Sequence, residues 1–233
     1  MADGPAIMEG ASLMIRALIF DFDGLILETE GPIFQSWQEF YQRYGQVLSI
    51  DTWGKIIGTA NTGYDPFTEL ELLVGKKLAR SPLEKARLER EMELVMAQPV
   101  LPGVHKCLAD ARQLGLKLAV ASSSPRSWVH GHLTRLDLIE YFDCLRTSDD
   151  VRNTKPDPEL YLSAIECLGI SAPEALALED SPHGITAAKA AGLYCVAVPN
   201  DLTRRLGTDH ADLTLSSMQD LDLEELIKRI NHH

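Results

Sequence analysis

Short runs of hydrophobic residues recur along the chain, each bounded by polar or turn-forming residues. Because these runs are apolar at consecutive positions, they predict strands that are buried on both faces, as is typical of parallel sheets. The runs are MIRALIF (14–20), LKLAVA (116–121), FDCLRT (142–147), ALALE (175–179) and YCVAV (194–198). A shorter run, ADLTLSS (211–217), predicts an edge strand before a closing helix in MQDLDLEELIKRI.

Segments with helical spacing lie between these runs and carry helix punctuation. Each has proline near its start and glycine at its end, as in PGVHKCLADARQLG (102–115), PELYLSAIECLG (158–169) and SPHGITAAKAAG (181–192). Proline suits the first helical turn, and glycine suits the residue that follows a helix. The alternation of strands and helices predicts an α/β fold with a doubly wound parallel sheet.

The interval between the first and second strand is far longer than one crossover helix needs. It contains the helical stretches PIFQSWQEFYQRYG and SPLEKARLEREMELVMAQ and no convincing strand. We therefore predict a small helical cap domain over residues 32–100, inserted into a discontinuous catalytic core of residues 14–31 and 101–231. Residues 1–13 are treated as a leader or tail outside the fold.

Composition limits the partners of the chain. With 233 residues, 45% of them hydrophobic, it is long enough to bury a core, and its net charge of −12 gives no support for binding nucleic acid or an anionic membrane. An anionic substrate must then be held by local cations or a metal. No apolar run reaches the ~18 residues of a membrane span. Nothing indicates the oligomeric state, and a monomer fits.

The cysteines are far apart and form no CxxC pair. This spacing favours reduced, mostly buried thiols over disulfides or a zinc site, and with the absence of an export signal it predicts a cytoplasmic protein.

Polar residues follow the predicted strands, where parallel sheets bind their ligands. They are Asp21, Asp23 and Gly24 after the first strand, Ser122, Ser123 and Ser124 after the second, Lys155 in the loop after the third, and Glu179 and Asp180 after the fourth. Each alone is typical of an ordinary turn or helix cap. Their joint occurrence at strand ends predicts one shared site.

This set resembles the four motifs of the haloacid dehalogenase (HAD) superfamily, in particular its branch of β-phosphoglucomutase-like proteins and sugar-phosphate phosphatases with a helical (C1) cap. The matches are Asp21-Phe-Asp23-Gly24, Ser122, Lys155 before Pro-Asp-Pro, and Glu179-Asp180-Ser. The resemblance extends from about Met14 to the C-terminal helix. It implies a phosphoric monoester hydrolase that acts on a small phosphorylated metabolite.

The resemblance implies a role for each motif residue. Asp21 is the expected nucleophile, which forms an aspartyl phosphate. Asp23 is the expected general acid and base, because on an extended chain its side chain points to the same side as that of Asp21. The closeness of the two carboxylates favours a proton on one of them. Ser122, the backbone N–H of Ser123 and the Lys155 ammonium are expected to bind phosphoryl oxygens.

A magnesium ion is the expected cofactor. Its implied ligands are a carboxylate oxygen of Asp21, the backbone carbonyl of Asp23 and the carboxylate of Asp180, with Glu179 bonded indirectly or through water. Gly24 allows a sharp turn beside the phosphate.

The main alternative is a phosphosugar mutase of the β-phosphoglucomutase type. In the mutase pattern a histidine stands ten residues after the second aspartate, where this chain has Ile33, and a cap-loop arginine stands where Asn61 aligns. Both departures favour hydrolysis, with Gly58–Gly63 as a candidate specificity loop. Glu28 replaces the usual aspartate, and with Glu30 we assign it to the hinge that enters the cap.

Two further alternatives carry less weight. A haloacid dehalogenase needs neither Mg²⁺ nor the second aspartate, so Asp23 and the Glu179–Asp180 pair argue against it. A non-catalytic protein that binds phosphometabolites would normally have lost a motif residue. Apart from the motifs, His130 and His132 are expected to be solvated or to cap a helix.

Overall fold

The computed structural model describes residues 14–54 and 63–231. Within these ranges a six-stranded parallel sheet has the order β3-β2-β1-β4-β5-β6. Its strands are β1 Ala17–Phe20, β2 Lys117–Ala121, β3 Cys144–Arg146, β4 Ala175–Glu179, β5 Tyr194–Ala197 and β6 Leu213–Thr214. The predicted doubly wound α/β fold is thus confirmed, and every predicted strand is present, some of them shorter than the run that predicted it.

Nine helices accompany the sheet in the described ranges. They are α1 Glu30–Gln42, α2 Ile50–Trp53, α3 Pro66–Val74, α4 Arg80–Met96, α5 Val104–Gln113, α6 Arg126–Arg135, α7 Glu159–Leu168, α8 Pro182–Ala190 and α9 Leu223–Asn231. None of them is long and apolar enough to cross a bilayer.

The two faces of the sheet differ in side-chain size. Large residues such as Leu18, Phe20 and Leu178 point to the face that packs against α5, α6 and α9. Small residues such as Ala119 and Ala177 point to the other face, which packs against α7 and α8. Because successive strand residues alternate between faces, the continuously apolar runs contribute side chains to two cores, one on each face of the sheet. The two cores differ in the size of these side chains.

Helices α1 to α4 fill the long interval between β1 and β2. Aromatic residues form their own cluster here, made of Phe34, Trp37, Phe40, Tyr41, Trp53 and Phe67 with Leu48 and Leu70. The chain leaves the sheet and returns to it side by side, since Leu27 pairs with Val100 in an antiparallel bridge and Leu101 N–H donates to the Ile26 carbonyl. The domain boundaries at residues 32 and 100 stay a prediction.

The expectation of four reduced cysteines is wrong for two of them. Cys144 in β3 and Cys167 in α7 form a disulfide, with their Cα atoms 6.4 Å apart. Cys107 and Cys195 are buried free thiols, and burial raises the pKa of Cys107 to about 12. Sequence spacing did not reveal the pair because its geometry depends on how α7 packs against β3.

Candidate active site

The predicted residues lie close together at the carboxyl ends of β1, β2 and β4. Strand β1 lies inside the sheet, with β2 and β3 on one side of it and β4, β5 and β6 on the other. This topological switch point is where open α/β sheets bind ligands. Asp21 directly follows β1, and its backbone N–H donates to the Leu178 carbonyl of β4. Asp180 directly follows β4, so the two carboxylates face each other across the strand ends.

Lys155 is the central cation of the site. Its side chain is 1% exposed, and Nζ lies 2.5 Å from Oδ1 of Asp21 and 2.6 Å from Oε1 of Glu179. Burial alone would lower the pKa of Lys155, but Asp21 and Glu179 outweigh burial and raise it above its ordinary value. The ammonium therefore stays charged, and it connects the expected nucleophile to the acidic pair after β4.

The carboxylates outnumber this cation. Asp21, Glu179 and Asp180 are all buried, and each offers an oxygen within 4.8 Å of the other two. Burial raises the pKa of Asp21 to about 7; Lys155 opposes this rise, and Glu179 and Asp23 add to it. Burial also raises the pKa of Asp180 well above its ordinary value, aided by Asp21 and Glu179.

This excess of buried negative charge fits a hard divalent cation, since oxygen ligands held close together are what Mg²⁺ prefers. Gly24 leaves room at the same place. Its φ is +78°, and a Cβ there would lie 2.4 Å from Oδ2 of Asp180 and 2.7 Å from Nδ2 of Asn200. Only glycine permits both this backbone conformation and this close approach.

The carboxylate of Asp23 accepts hydrogen bonds from three parts of the chain. Thr29 Oγ1 and Trp128 Nε1 each donate to Oδ1 at 2.9 Å. Ser124 Oγ donates to Oδ2 at 2.6 Å, and Ser122 Oγ lies 3.4 Å from the same oxygen. The structure thus brings Ser122 and Asp23 together.

Three side chains that touch the predicted residues were missed from the sequence. They are Trp128 on Asp23, Tyr161, whose hydroxyl donates to Oε1 of Glu179 at 2.5 Å, and Asn200, whose Nδ2 donates to Oδ2 of Asp180 at 2.9 Å. For Trp128 a signal existed, because it lies in the first turn of α6, just after the serines that follow β2. Tyr161 lies among the buried, mostly apolar residues of α7, so no motif distinguishes it in the sequence.

The remaining predicted residues are placed as follows. Asn61 lies outside the described residues. Glu28 Oε1 accepts from the Gly31 N–H in the first turn of α1, and its assignment to a hinge stays a prediction. His130 is exposed, but His132 is buried, so the expectation of a solvated side chain is wrong for His132.

Comparison with known proteins identifies the family of the chain. A model of the family "Haloacid dehalogenase-like hydrolase" matches residues 18–198. The chain therefore belongs to the haloacid dehalogenase-like hydrolases, and the resemblance inferred from the motifs is confirmed.

Individual relatives include proteins described as phosphatases and one described as a phosphosugar mutase. The chain is 46% identical to "Putative phosphatase YhcW" of Bacillus subtilis, over 94% of this chain and 99% of that protein. It is 33% identical to the phosphorylated carbohydrates phosphatase of Thermotoga maritima, over 77% and 82% of the two chains. Among solved structures, a protein described as a putative β-phosphoglucomutase from Thermotoga maritima superposes with a TM-score of 0.71 at 27% identity, covering 94% of this chain and 99% of the other.

Proposed function

We propose that this protein is a Mg²⁺-dependent phosphatase that hydrolyses small phosphomonoesters, sugar phosphates above all, through an aspartyl-phosphate intermediate on Asp21. The observation that carries the proposal is the buried Lys155, bonded to both Asp21 and Glu179 beside Asp180 at the switch point of the sheet. Membership of the hydrolase family and the phosphatase names of relatives support the reaction class.

The proposed reaction has two steps. In the first, a carboxylate oxygen of Asp21 forms a bond to phosphorus while the ester oxygen leaves with a proton from Asp23. In the second, water forms the new bond to phosphorus, the bond to Asp21 breaks, and Asp23 takes a proton from the water. Asp21 and Asp23 thereby return to their starting states.

The other residues neutralise charge. Lys155 holds an Asp21 oxygen and supplies a positive charge near the phosphoryl oxygens of an otherwise acidic protein. Asp21 and Asp180 would hold Mg²⁺ with the backbone of Asp23, and Glu179 would support them. When bound, the ion supplies charge neutralisation for the nucleophile and the phosphoryl group.

A phosphosugar mutase is the second candidate, because a protein described as a putative β-phosphoglucomutase is among the structural neighbours. Ile33 favours hydrolysis. It is half-buried and packs against both the large-residue core and the aromatic cluster, so no proton-handling group stands at this position. A mutase would need to select a sugar hydroxyl over water as the acceptor without it.

The decisive experiment is a phosphate-release assay on sugar phosphates, nucleoside monophosphates and phosphoglycolate, with and without glucose 1,6-bisphosphate. We expect release that depends on Mg²⁺ and is inhibited by chelator or Ca²⁺. Asp21→Asn should lower kcat by more than about a thousandfold, whereas Asp51→Asn, on the exposed surface of α2, should not. Isomerisation of β-glucose 1-phosphate would establish the mutase instead, and full turnover by Asp21→Asn would refute the nucleophile.

A further inference from the structure

We propose that Trp128 is a positioning residue whose indole N–H fixes the orientation of the Asp23 carboxyl group and keeps Oδ1 from carrying its proton. The inference rests on the proposed function, in which Asp23 exchanges a proton with the leaving group and then with water. Trp128 does not belong to the four motifs, and it comes to the site from α6.

The contact has the geometry of a firm hydrogen bond. Nε1 of Trp128 lies 2.9 Å from Oδ1 of Asp23, within the range for N–H donors. Three other side chains, Thr29, Ser122 and Ser124, also reach this carboxyl group through hydroxyls. What separates Trp128 from them is the chemistry of its donor.

A hydroxyl can rotate and either donate or accept, whereas an indole nitrogen can only donate. The three hydroxyl contacts therefore tolerate a proton on either oxygen of Asp23. The indole contact does not, because a proton on Oδ1 would point at the N–H of Trp128. When Asp23 is a carboxylic acid, its proton is thus confined to Oδ2, the oxygen that also contacts Ser124 and Ser122.

Packing holds the indole in place. The ring of Trp128 meets the His132 ring edge to face, with centroids 4.4 Å apart, and His132 stacks in turn against the buried Phe22. Nε of Arg135 donates to Nδ1 of His132 at 3.3 Å. Burial and then Arg135 lower the pKa of His132, so a neutral ring supports the indole. Phe22 lies between Asp21 and Asp23, so the support is built into the catalytic turn itself.

Trp128→Phe tests the proposal because it keeps an aromatic ring beside His132 while it removes the N–H donor together with part of the indole ring. Trp53→Phe is the matched control, since Nε1 of Trp53 is buried without a hydrogen-bond partner in the described part of the chain. Each variant is assayed on p-nitrophenyl phosphate and on the best sugar phosphate of the panel. The first leaving group needs little protonation, and the second needs a full proton.

We expect Trp128→Phe to lower kcat/KM by about 10- to 100-fold for the sugar phosphate, the size expected from losing one hydrogen bond to a charged group. The loss should be below about threefold for p-nitrophenyl phosphate, and Trp53→Phe should match the wild type on both. An equal loss on both substrates would indicate a merely structural role and overturn the proposal, as would wild-type kinetics in Trp128→Phe. A wild-type protein without phosphatase activity would refute the proposed function, and this inference with it.

Two measurements guard against a folding defect. Trp128→Gln restores an N–H donor without the ring and should recover part of the sugar-phosphate activity. In nuclear magnetic resonance spectra, the indole N–H signal that Trp128→Phe abolishes should shift when Asp23 is changed to alanine, and the other two indole signals should not. If the chemical shift of the Trp128 indole N–H were the same in Asp23→Ala as in the wild type, the hydrogen bond would be absent and the proposal would be overturned.

Discussion

Oε1 of Glu179 lies 2.6 Å from Nζ of Lys155, and both side chains are buried. The same oxygen accepts from Tyr161, while Oε2 accepts from the Asp180 N–H at 3.1 Å. Glu179 therefore holds the Lys155 ammonium in position, and the same ammonium donates to Asp21. Glu179, which the motif pattern predicts to lie beside a metal ion, thus also positions Lys155, the only cation bonded to the expected nucleophile in the described part of the chain.

Replacing Lys155 with methionine should damage both stability and catalysis. The change leaves the carboxylates of Asp21 and Glu179 buried without their cation, which typically costs about 3–5 kcal/mol in the free energy of unfolding. We also expect kcat/KM for phosphate release to fall at least about a hundredfold, because a positive charge at the phosphoryl group is lost. Urea unfolding and the release assay measure the two effects.

Lys228→Met is the control for this prediction. Lys228 pairs with Glu224 on the surface of α9, with both side chains more than half exposed, and such exposed pairs contribute little to stability. If the two lysine variants unfolded at the same urea concentration, the buried ion pairs would not stabilise the fold as argued.

Tyr161→Phe should weaken Mg²⁺ binding at the proposed metal site without removing any of the proposed ligands. Burial, with the charges of Glu179 and Asp21, raises the pKa of Tyr161 well above its ordinary value, so its hydroxyl keeps its proton and donates it to Glu179. The phenylalanine ring can keep the contact with the Lys155 ammonium, which lies 5.2 Å from the ring centroid. Losing a supporting hydrogen bond of this kind typically costs about 10-fold or more in metal affinity.

The measurement is the rise in Tm on titration with Mg²⁺, which reports binding to the native state without reference to turnover. The midpoint should move to about 10-fold higher Mg²⁺ for Tyr161→Phe. Tyr141→Phe, whose ring packs under Arg112 away from the site, should leave it unchanged. An unchanged midpoint in Tyr161→Phe would mean that Glu179 needs no support from the tyrosine.

Two helical glycines should respond in opposite ways to alanine. A Cβ at Gly184, in the first turn of α8, would lie 2.0 Å from the carboxyl atoms of Glu179, whereas a Cβ at Gly131 in α6 meets nothing within 4 Å. Gly131→Ala should stabilise the protein by about 0.5–1 kcal/mol through helix propensity. Gly184→Ala should destabilise it by more than about 2 kcal/mol and reduce turnover, because Glu179 must move.

Thermal unfolding and the phosphate-release assay test this pair. If Gly184→Ala had the stability and the turnover of Gly131→Ala, the carboxyl group of Glu179 would have room to shift, and the predicted clash would be absent.

The sheet was predictable from sequence because its strands are apolar on both faces. The location of the site was predictable because parallel strands have their carboxyl ends at the same edge of the sheet. The sequence alone therefore predicts that four residues lie together: Asp21, Lys155, Glu179 and Asp180. Their catalytic and metal-binding roles, and the cap boundaries, stay predictions.

What the sequence did not reveal were contacts made by side chains from other elements. Trp128, Tyr161 and Asn200 each donate to a motif carboxylate, but each donor reaches it only after a helix or loop has packed against the sheet. The disulfide between Cys144 and Cys167 was missed for the same reason. Local patterns predict elements and their ends, whereas such contacts depend on how the elements pack.

Glu30 should make stability depend on pH. It begins α1 and is buried, and burial, then the charges of Asp23 and Glu28, raise the pKa of Glu30 from 4.5 to about 8. Because this pKa is higher in the folded than in the unfolded chain, the folded protein binds the extra proton between about pH 4.5 and pH 8. The contribution of Glu30 to the free energy of unfolding is therefore largest at low pH and falls as pH rises through this window.

Glu30→Gln keeps the shape of the side chain and removes the titration, so the difference between variant and wild type isolates this effect. With a chelator present to remove divalent cations, the two proteins should be about equally stable near pH 5. Near pH 8.5 the free energy of unfolding of the variant should be higher by on the order of 3 kcal/mol. Urea unfolding at several pH values measures the difference. Glu69→Gln, on α3, provides a carboxylate control from another part of the chain. A difference between wild type and Glu30→Gln that stayed constant from pH 5 to 8.5 would show that Glu30 is ionised throughout, and that its surroundings hold a negative charge without the cost its burial implies.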